Sequence, residues 1–518
     1  PDDLVRMNTD ALALLGHVSW AENLTTVSGE MIPFTSFPVQ TTIPFQPEWK
    51  GSKNQFIDNE ILSLINKGVI IRSAHEHGEF ISPIFLCDKR DGSFRMILNL
   101  KKLNQYVEYN HFKMETIWTA VSMIKPGCYM ATIDIKDAYY CVPIHKDHQK
   151  YLKFKWKGTL YQFTCYPNGL ACCPRKFTKL MKPVYCTLRE AGHLSVGYID
   201  DSYLQGNDYD QCLENIKATV ALFNTLGLVT HPDKSVLEPT QQITFLGFQL
   251  NSLTMTISLT PEKAFKVKDA CQNLLTSASP TIREVSHVLG LLTSSMPGVM
   301  YGPLHYRWLD IDKSQALHLH KGDFDKTITL SPCAKADLKW WTESIGSAYN
   351  VVSHGEPALT LATDASKTGW GCTTLGTPTG GHWTPEEASN HINYLEIKAV
   401  LLGLQSFVKV VSDKHVKVLV DNTTAVSCIN QMGTCHSQDL NRLVINIWEW
   451  CINHNVWLTV AHIPGTDNVI ADRESRKSRS GTEWTLDSHI FDKAVQKCGF
   501  TPDVDLFASR LNNKCRKY

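Results

Sequence analysis

The chain has 518 residues, 51 basic against 51 acidic side chains, and 43% hydrophobic residues, values ordinary for a globular protein of three or more domains. The zero net charge excludes a uniformly basic nucleic-acid binder but leaves room for local basic grooves. No apolar run approaches the roughly 18 residues of a membrane helix, no signal peptide is visible, and the 16 cysteines are scattered through apolar segments, as in a reduced, buried, intracellular set.

Residues 1–50 are rich in Pro, Thr and Ser and read as an extended arm. Over 51–75, Ile57, Ile61, Leu62, Leu64 and Ile65 recur at helical spacing, and Gly68 closes the helix before "VIIRS". "SPIFLCDKRDGSFRMILNL" reads as two strands around Asp91–Gly92, "CYMATIDIKDAYYCVPI" as a β-rich run, and "PRKFTKLMKPVYCTLREAG" as a helix ending at Gly192. "DQCLENIKATVALFNTLGL" is another helix, and "ITFLGFQL" a single strand. The texture over 255–345 is helical, with Thr N-caps followed by Glu. Over 355–478 strands and helices alternate: "LTLATDASKTGWGCTTL" and "GHWT" as strands, "NYLEIKAVLLGLQSFVKVV" as a helix, "HVKVLVDN" and "WLTVAHI" as strands, and "DNVIADRESR" as a helix. The tail, 479–518, is basic and short, and the close in "NNKCRKY" reads as a truncation.

The stretch "VGYIDDSYLQ", 196–205, puts Asp200 and Asp201 in the turn of an apolar hairpin. Like charges held so close raise each other's proton affinity, so a merely structural turn rarely selects them. A second acid, Asp134, lies on "TIDIKDAYY". If the two strands are sheet neighbours, three carboxylates converge, which is unstable without cations. An all-oxygen site suits magnesium, and a two-magnesium site suits phosphoryl transfer.

The series "FRMILNLKKLN", "TIDIKDAYYCVPI", "YPNGLACCPRKF", "YIDD", "HPDK" and "FLGFQL", over roughly 80–250, strongly resembles the retroelement reverse transcriptases. The resemblance implies an α+β multidomain chain, with right-hand polymerase fingers and palm over 51–250 and a helical thumb and connection over 251–345. It implies that Asp134, Asp200 and Asp201 are catalytic ligands of two Mg2+ ions, with Mn2+ as the alternative. Tyr139 matches the aromatic gate against a ribose 2′-hydroxyl, which implies deoxynucleoside triphosphate substrates. Arg95 with Lys89 or Arg90 matches the grip on the triphosphate. Lys234 of "HPDK" joins the substrate-binding set, and "FLGFQL" matches the primer grip. Asn168 departs from the Gln or hydrophobic residue expected beside the incoming nucleotide. Two basic groups, Arg175, Lys176, Lys179 and Lys182, and Lys146, Lys150, Lys153, Lys155 and Lys157, read equally as phosphate contacts or as solvated faces.

Four further acids follow in the order D, E, D, D: Asp364 in "TDAS", Glu396 in "NYLEIKAV", Asp421 in "LVDNTTA" and Asp472 in "VIADRES". With His462 they make the region 355–478 resemble RNase H of the retroelement type. The resemblance implies an α/β domain whose four acids bind two Mg2+ ions and whose His462 assists proton transfer or product departure. The implied partners are an RNA template, a DNA primer and an RNA–DNA hybrid, with no membrane. "HIPGTDNVIADRESR" and "DVDLFASRLNNK" resemble the tyrosine-recombinase retrotransposons of the DIRS type, with an LTR-type (gypsy-like) polyprotein as the alternative. A decayed or host-adopted nucleic-acid-binding copy is the competing class, and the presence of all seven acids speaks against it. Cys428, Cys435, His436, Cys451 and His454 lack paired CxxC spacing and read as core residues rather than zinc ligands.

Overall fold

A computed structural model describes residues 7, 29–88, 92, 94–477, 486–506, 508 and 513–517. The chain divides into two units, residues 1–260 with 349–352, and residues 261–348 with 353–518.

In the first unit, α1 (Ser52–Asn66) buries Ile57, Ile61 and Leu64, the helical stripe of the sequence, and Gly68 just beyond it takes a left-handed φ of +70°. The chain then forms β1 (Ile70–Ser73) and the hairpin of β2 (Ile84–Asp88) and β3 (Phe94–Leu98). β4 (Tyr129–Asp134) follows, and then β5 (Lys153–Trp156) and β6 (Thr159–Phe163), which pair with β1 in the order β1-β6-β5. α2 (Cys173–Glu190), β7 (Leu194–Tyr198), β8 (Asp201–Gly206), α3 (Tyr209–Thr225) and β9 (Val236–Thr240) complete the central layer. Its sheet is antiparallel throughout, in the order β7-β8-β4-β9, with α2 packed beside β7 and α3 beside β8. Glycine makes the first contact possible: a Cβ on Gly197 would lie 2.0 Å from the ring of Tyr185 on α2. The Tyr185 hydroxyl shares a 2.7 Å hydrogen bond with Ser202 of β8.

"ITFLGFQL" is not one strand but a hairpin of β10 (Gln242–Phe245) and β11 (Phe248–Asn251). Leu246 and Gly247 both take left-handed φ, 49° and 78°, which matches a tight two-residue turn and forbids a continuous strand. β12 (Thr256–Leu259) and β13 (Tyr349–Val351) extend this sheet in the order β10-β11-β12-β13.

The second unit opens with α4 (Pro261–Thr276), α5 (Ile282–Ser295), α6 (Arg307–Leu319) and α7 (Pro332–Ser344). Thr281 and Glu284 cap α5 reciprocally, with Glu284 N–H donating to Thr281 Oγ1 and Thr281 N–H to Glu284 Oε2. A mixed sheet follows: β14 (Leu359–Ala365), β15 (Gly369–Thr374), β16 (Thr377–His382), α8 (Ile392–Ser406), β17 (His415–Val420), α9 (Thr423–Asn430), α10 (Gln438–Asn453), β18 (Trp457–His462) and α11 (Val469–Arg476). The strand order is β16-β15-β14-β17-β18, antiparallel among the first three strands and parallel from β14 through β18. "GHWT" is strand only as far as His382, because Thr384 caps the next helical turn by accepting from Glu387 N–H at 3.1 Å.

α8 is apolar around most of its circumference and packs between β14 and α10. α11 lies on β15, where Gly371 admits its backbone: a Cβ there would sit 2.1 Å from the Ala471 carbonyl oxygen. Among the described residues no helix is long and apolar enough to cross a membrane.

Adding one methyl at these contacts should cost about 1–3 kcal/mol by overpacking. Gly197→Ala and Gly371→Ala should each lower the melting temperature, whereas Gly290→Ala, in open space on α5, should be neutral or stabilising by up to about 1 kcal/mol. Equal melting temperatures for all three variants would contradict this packing.

Candidate active sites

The first group of acids is assembled by backbone register. In the β4–β8 ladder Asp134 stands opposite Asp201, and the Ile135 N–H donates to the Asp200 carbonyl at 2.8 Å. The hairpin tip is Ile199–Asp200 rather than the Asp-Asp pair, because Tyr198 pairs with Asp201, which is already the first residue of β8. Ile199 takes a φ of 56° there. On its other side Asp134 is tied to the "HPDK" loop. His231 N–H donates to its carbonyl at 2.7 Å, and its own N–H donates to Ser235 Oγ at 3.0 Å. Lys234 Nζ lies 3.6 Å from Asp134 Oδ2.

Burial raises the proton affinity of Asp200, and the Asp134 charge adds to it. Burial, then the charges of Asp200 and Asp134, push Asp201 up to about 6. Tyr139 leans edge-on against Phe177 at 5.6 Å between centroids, and burial raises its phenol well above the usual range, with Cys173, Asp200 and Tyr198 as neighbours. Asn168 is exposed in a turn, and Arg95 is exposed on β3 opposite Cys87. Lys89 and Arg90 lie outside the described residues. The turn that bears Asn168 is bracketed by Asn104, which sequence reasoning did not single out. Asn104 donates to the Gly169 carbonyl and accepts from Ala171 N–H, both at 2.9 Å.

The second group gathers more tightly. Carboxylate oxygens of Asp364, Glu396 and Asp421 all lie within 4.8 Å of one another. Among the described residues no other set of three acid, histidine or cysteine side chains meets that distance, the first group included. The parallel β14–β17 ladder ends at Ala362 opposite Leu419, two residues before Asp364 in β14 and before Asp421, which lies just past the end of β17. α8 supplies Glu396 from above, held by the Ala365 N–H. Asp364 and Glu396 are each 3% exposed, and Glu396 Oε2 is buried without a hydrogen-bond partner. Burial, then the charges of Asp364 and Asp421, push Glu396 up to about 9. Burial pushes Asp364 up to about 6, opposed by a hydrogen bond from Ser475 and reinforced by Asp421 and Asp472.

Asp472 stands outside the trio, its Oδ1 accepting from Arg476 Nε at 2.7 Å. His462, exposed at the end of β18, pairs in register with Val420 and so stands beside Asp421. Ser475 and Asn468 were not singled out from sequence. The buried Asn468 donates to the Thr363 carbonyl at 2.9 Å and fixes the start of α11 beside Asp364.

The basic groups divide. Lys153 is fully buried and ion-paired to Glu76 and Glu79 at 2.7 and 2.9 Å, so it cannot meet a phosphate. Lys157 pairs with Asp58, and Lys176 with the buried Glu30 at 2.7 Å. All sixteen cysteines are free thiols, but Cys333 and Cys498 are exposed rather than buried. Cys428, Cys435, His436, Cys451 and His454 form no metal-binding group, and His454 is stacked on Trp450 with Nδ1 at 2.8 Å from its carbonyl.

Residues 87–250 match the family model for reverse transcriptase (RNA-dependent DNA polymerase). They form a reverse transcriptase domain. The Pro-Pol polyprotein of simian foamy virus type 1 is 26% identical over 259 residues, 48% of this chain and 22% of that protein. The Tf2-3 transposon polyprotein of Schizosaccharomyces pombe (strain 972 / ATCC 24843) is 22% identical over 204 residues, 39% of this chain and 15% of that protein. The chain therefore spans less than a quarter of the length of these relatives. Among solved structures, a foamy viral protease-reverse transcriptase bound to double-stranded DNA aligns with a TM-score of 0.53 at 17% identity, over 89% of this chain and 83% of that one. The same kind of protein bound to an RNA/DNA hybrid aligns at 0.52 and 17%, over 94% of this chain and 66% of that one. The architecture is thus a mixed α/β polymerase fold, and the Asp134–Asp201 register lies inside its reverse transcriptase domain.

A carboxyl that holds its proton more tightly folded than unfolded stabilises the fold at low pH and loses that contribution as the pH rises through its folded value. With no divalent cation present, the melting temperature should therefore fall between about pH 4 and pH 9, the span from an ordinary glutamate to folded Glu396. Glu396→Gln should melt a few degrees higher than the parent at pH 8 and equally at pH 4. A parent more stable than Glu396→Gln at pH 8 without cations would contradict the assignment of burial and repulsion at this residue.

Proposed function

We propose that the chain is an RNA-directed DNA polymerase that also cleaves the RNA strand of an RNA–DNA hybrid, as a ribonuclease H. The observation that carries this reading is the division of its acids into two sets built on different sheets: Asp134, Asp200 and Asp201 around the β4–β8 ladder, and Asp364 and Asp421 beside the β14–β17 ladder with Glu396 from α8. Both donor sets consist of oxygens alone, and the second holds a buried, unpartnered Glu396 Oε2, so they fit a hard divalent cation such as Mg2+. Bound there, Mg2+ (or Mn2+) would neutralise phosphate charge and lower the pKa of the attacking hydroxyl or water.

The remaining work falls to the side chains around the acids. Lys234, beside Asp134, would put a cation near a bound triphosphate, and Arg95 adds positive charge from β3. The resemblance pairs Arg95 with Lys89 or Arg90, which lie outside the described residues. Tyr139, wedged by Phe177, limits space beside the sugar, and Asn168 faces solvent where an incoming base could reach it. Near the second set, exposed His462 stands beside Asp421, placed to assist proton transfer or product departure. On this reading the partners are an RNA template, a DNA primer, deoxynucleoside triphosphates and the hybrid product. The solved relatives bound to double-stranded DNA and to an RNA/DNA hybrid support it.

Within retroelements, the resemblance of "HIPGTDNVIADRESR" and "DVDLFASRLNNK" supports an element of the DIRS type. An adjoining reading frame for a tyrosine recombinase would agree with it, and one for an integrase would overturn it.

The two activities should separate by mutation. Asp201→Asn should abolish DNA synthesis on an RNA template and spare hybrid cleavage, and Glu396→Gln should do the reverse. His462→Ala should slow cleavage by about 10²–10⁴-fold, the usual contribution of an acid or base. Tyr139→Ala should admit ribonucleotides. Primer extension and hybrid cleavage by the same purified preparations test this. Loss of both activities in each single variant, with the fold intact, would refute two independent sites.

A further inference from the structure

Of Asp364, Glu396, Asp421 and Asp472, only Asp472 is ion-paired among the described residues. Arg476, one helical turn later, donates to it at 2.7 Å, in the favourable order of acid before base at i,i+4. The side chains of Arg476 and Asp472 are 67% and 39% exposed, so this pair can re-form cheaply in water. The other bases of the same turn face another acid: Arg473 lies 4.0 Å and Lys477 3.3 Å from Glu474. The helix itself is held. Gly371 admits its backbone against β15, Asn468 anchors its start to the Thr363 carbonyl, and the Ser475 hydroxyl lies 2.6 Å from Asp364 Oδ2. With α11 so fixed, Asp472 can move toward the trio only by turning its side chain, which breaks its bond to Arg476.

We propose that Arg476 is a positioning residue that keeps Asp472 out of the ion-binding trio and gives it up when a divalent cation enters, while Ser475 orients Asp364. The inference rests on the reading of this group as a divalent-cation centre. Arg476 then sets the cation concentration at which the centre fills with four acids rather than three. The raised proton affinity of the Arg476 guanidinium, caused first by Asp472 and further by Asp364 and Asp421, agrees with its standing at the mouth of the group.

The test is a calorimetric titration with Mn2+ of the full chain carrying Asp200→Asn and Asp201→Asn, which silences the first group. Because an exposed ion pair is weak, Arg476→Gln should tighten binding by only about two- to fivefold relative to Arg473→Gln, which removes the same charge from the same helix. The gain should vanish when Asp472→Asn is also present, since the cycle isolates the pair. Ser475→Ala should weaken binding, and Ser475→Thr should restore it. Equal shifts for Arg476→Gln and Arg473→Gln, or a gain that survives Asp472→Asn, would overturn the proposal. Hybrid cleavage by the unsubstituted chain is measured alongside. If cleavage is absent while Mn2+ binding follows this pattern, the ribonuclease reading falls and the role of Arg476 stands; if Mn2+ does not bind at all, both fall.

Discussion

Acids that repel one another are held together here by the backbone ladders beside them. Asp134 cannot retreat from Asp201 without breaking the β4–β8 register, nor can the Asp200 carbonyl leave the Ile135 N–H without opening the hairpin tip. In the second unit, the parallel ladder that ends at Ala362 and Leu419 brings Asp364 and Asp421 to the same edge, and α8 lowers Glu396 onto them. Hydrogen bonding along the strands and burial of the apolar faces supply the free energy that this crowding opposes. Burial first, and then the neighbouring charges, raise the proton affinities of Asp201, Asp364 and Glu396, and a divalent cation is the simplest species that relieves both.

The two groups solve this problem differently. In the first, Lys234 stands 3.6 Å from Asp134, and the three carboxylates do not close to within the distance that the second group reaches. In the second, the trio forms no ion pair among the described residues, and the Arg476 guanidinium binds Asp472. The second presents a compact, oxygen-lined edge with His462 beside it.

Much of this was legible in the sequence because acids on apolar strands are costly and therefore conspicuous. Asp134 and the Asp200–Asp201 pair stand out in this way, whereas Asp364, Glu396, Asp421 and Asp472 are each unremarkable alone and are found by their order and by the resemblance to RNase H. What escaped depended on exact backbone geometry or on partners distant in sequence. "FLGFQL" reads as one apolar run, and only the left-handed Leu246 and Gly247 fold it back. Lys153 reads from sequence as a phosphate contact or as part of a solvated face, yet Glu76 and Glu79, more than seventy residues upstream, draw it into the core. Asn104 brackets the turn at Asn168 from a similar distance. The Asp472–Arg476 pair, at i,i+4, was not singled out from sequence, and Ser475 gains its meaning only from contact with Asp364 on another element.

The central claim is that the chain contains two separate centres for divalent cations. Anomalous diffraction from crystals of the protein soaked in Mn2+ tests it most directly. Peaks within coordination distance of Asp134 and Asp200 or Asp201, and others among Asp364, Glu396 and Asp421, are the predicted result. A map with no peak at either group, or with Mn2+ held only by other residues, would contradict the account.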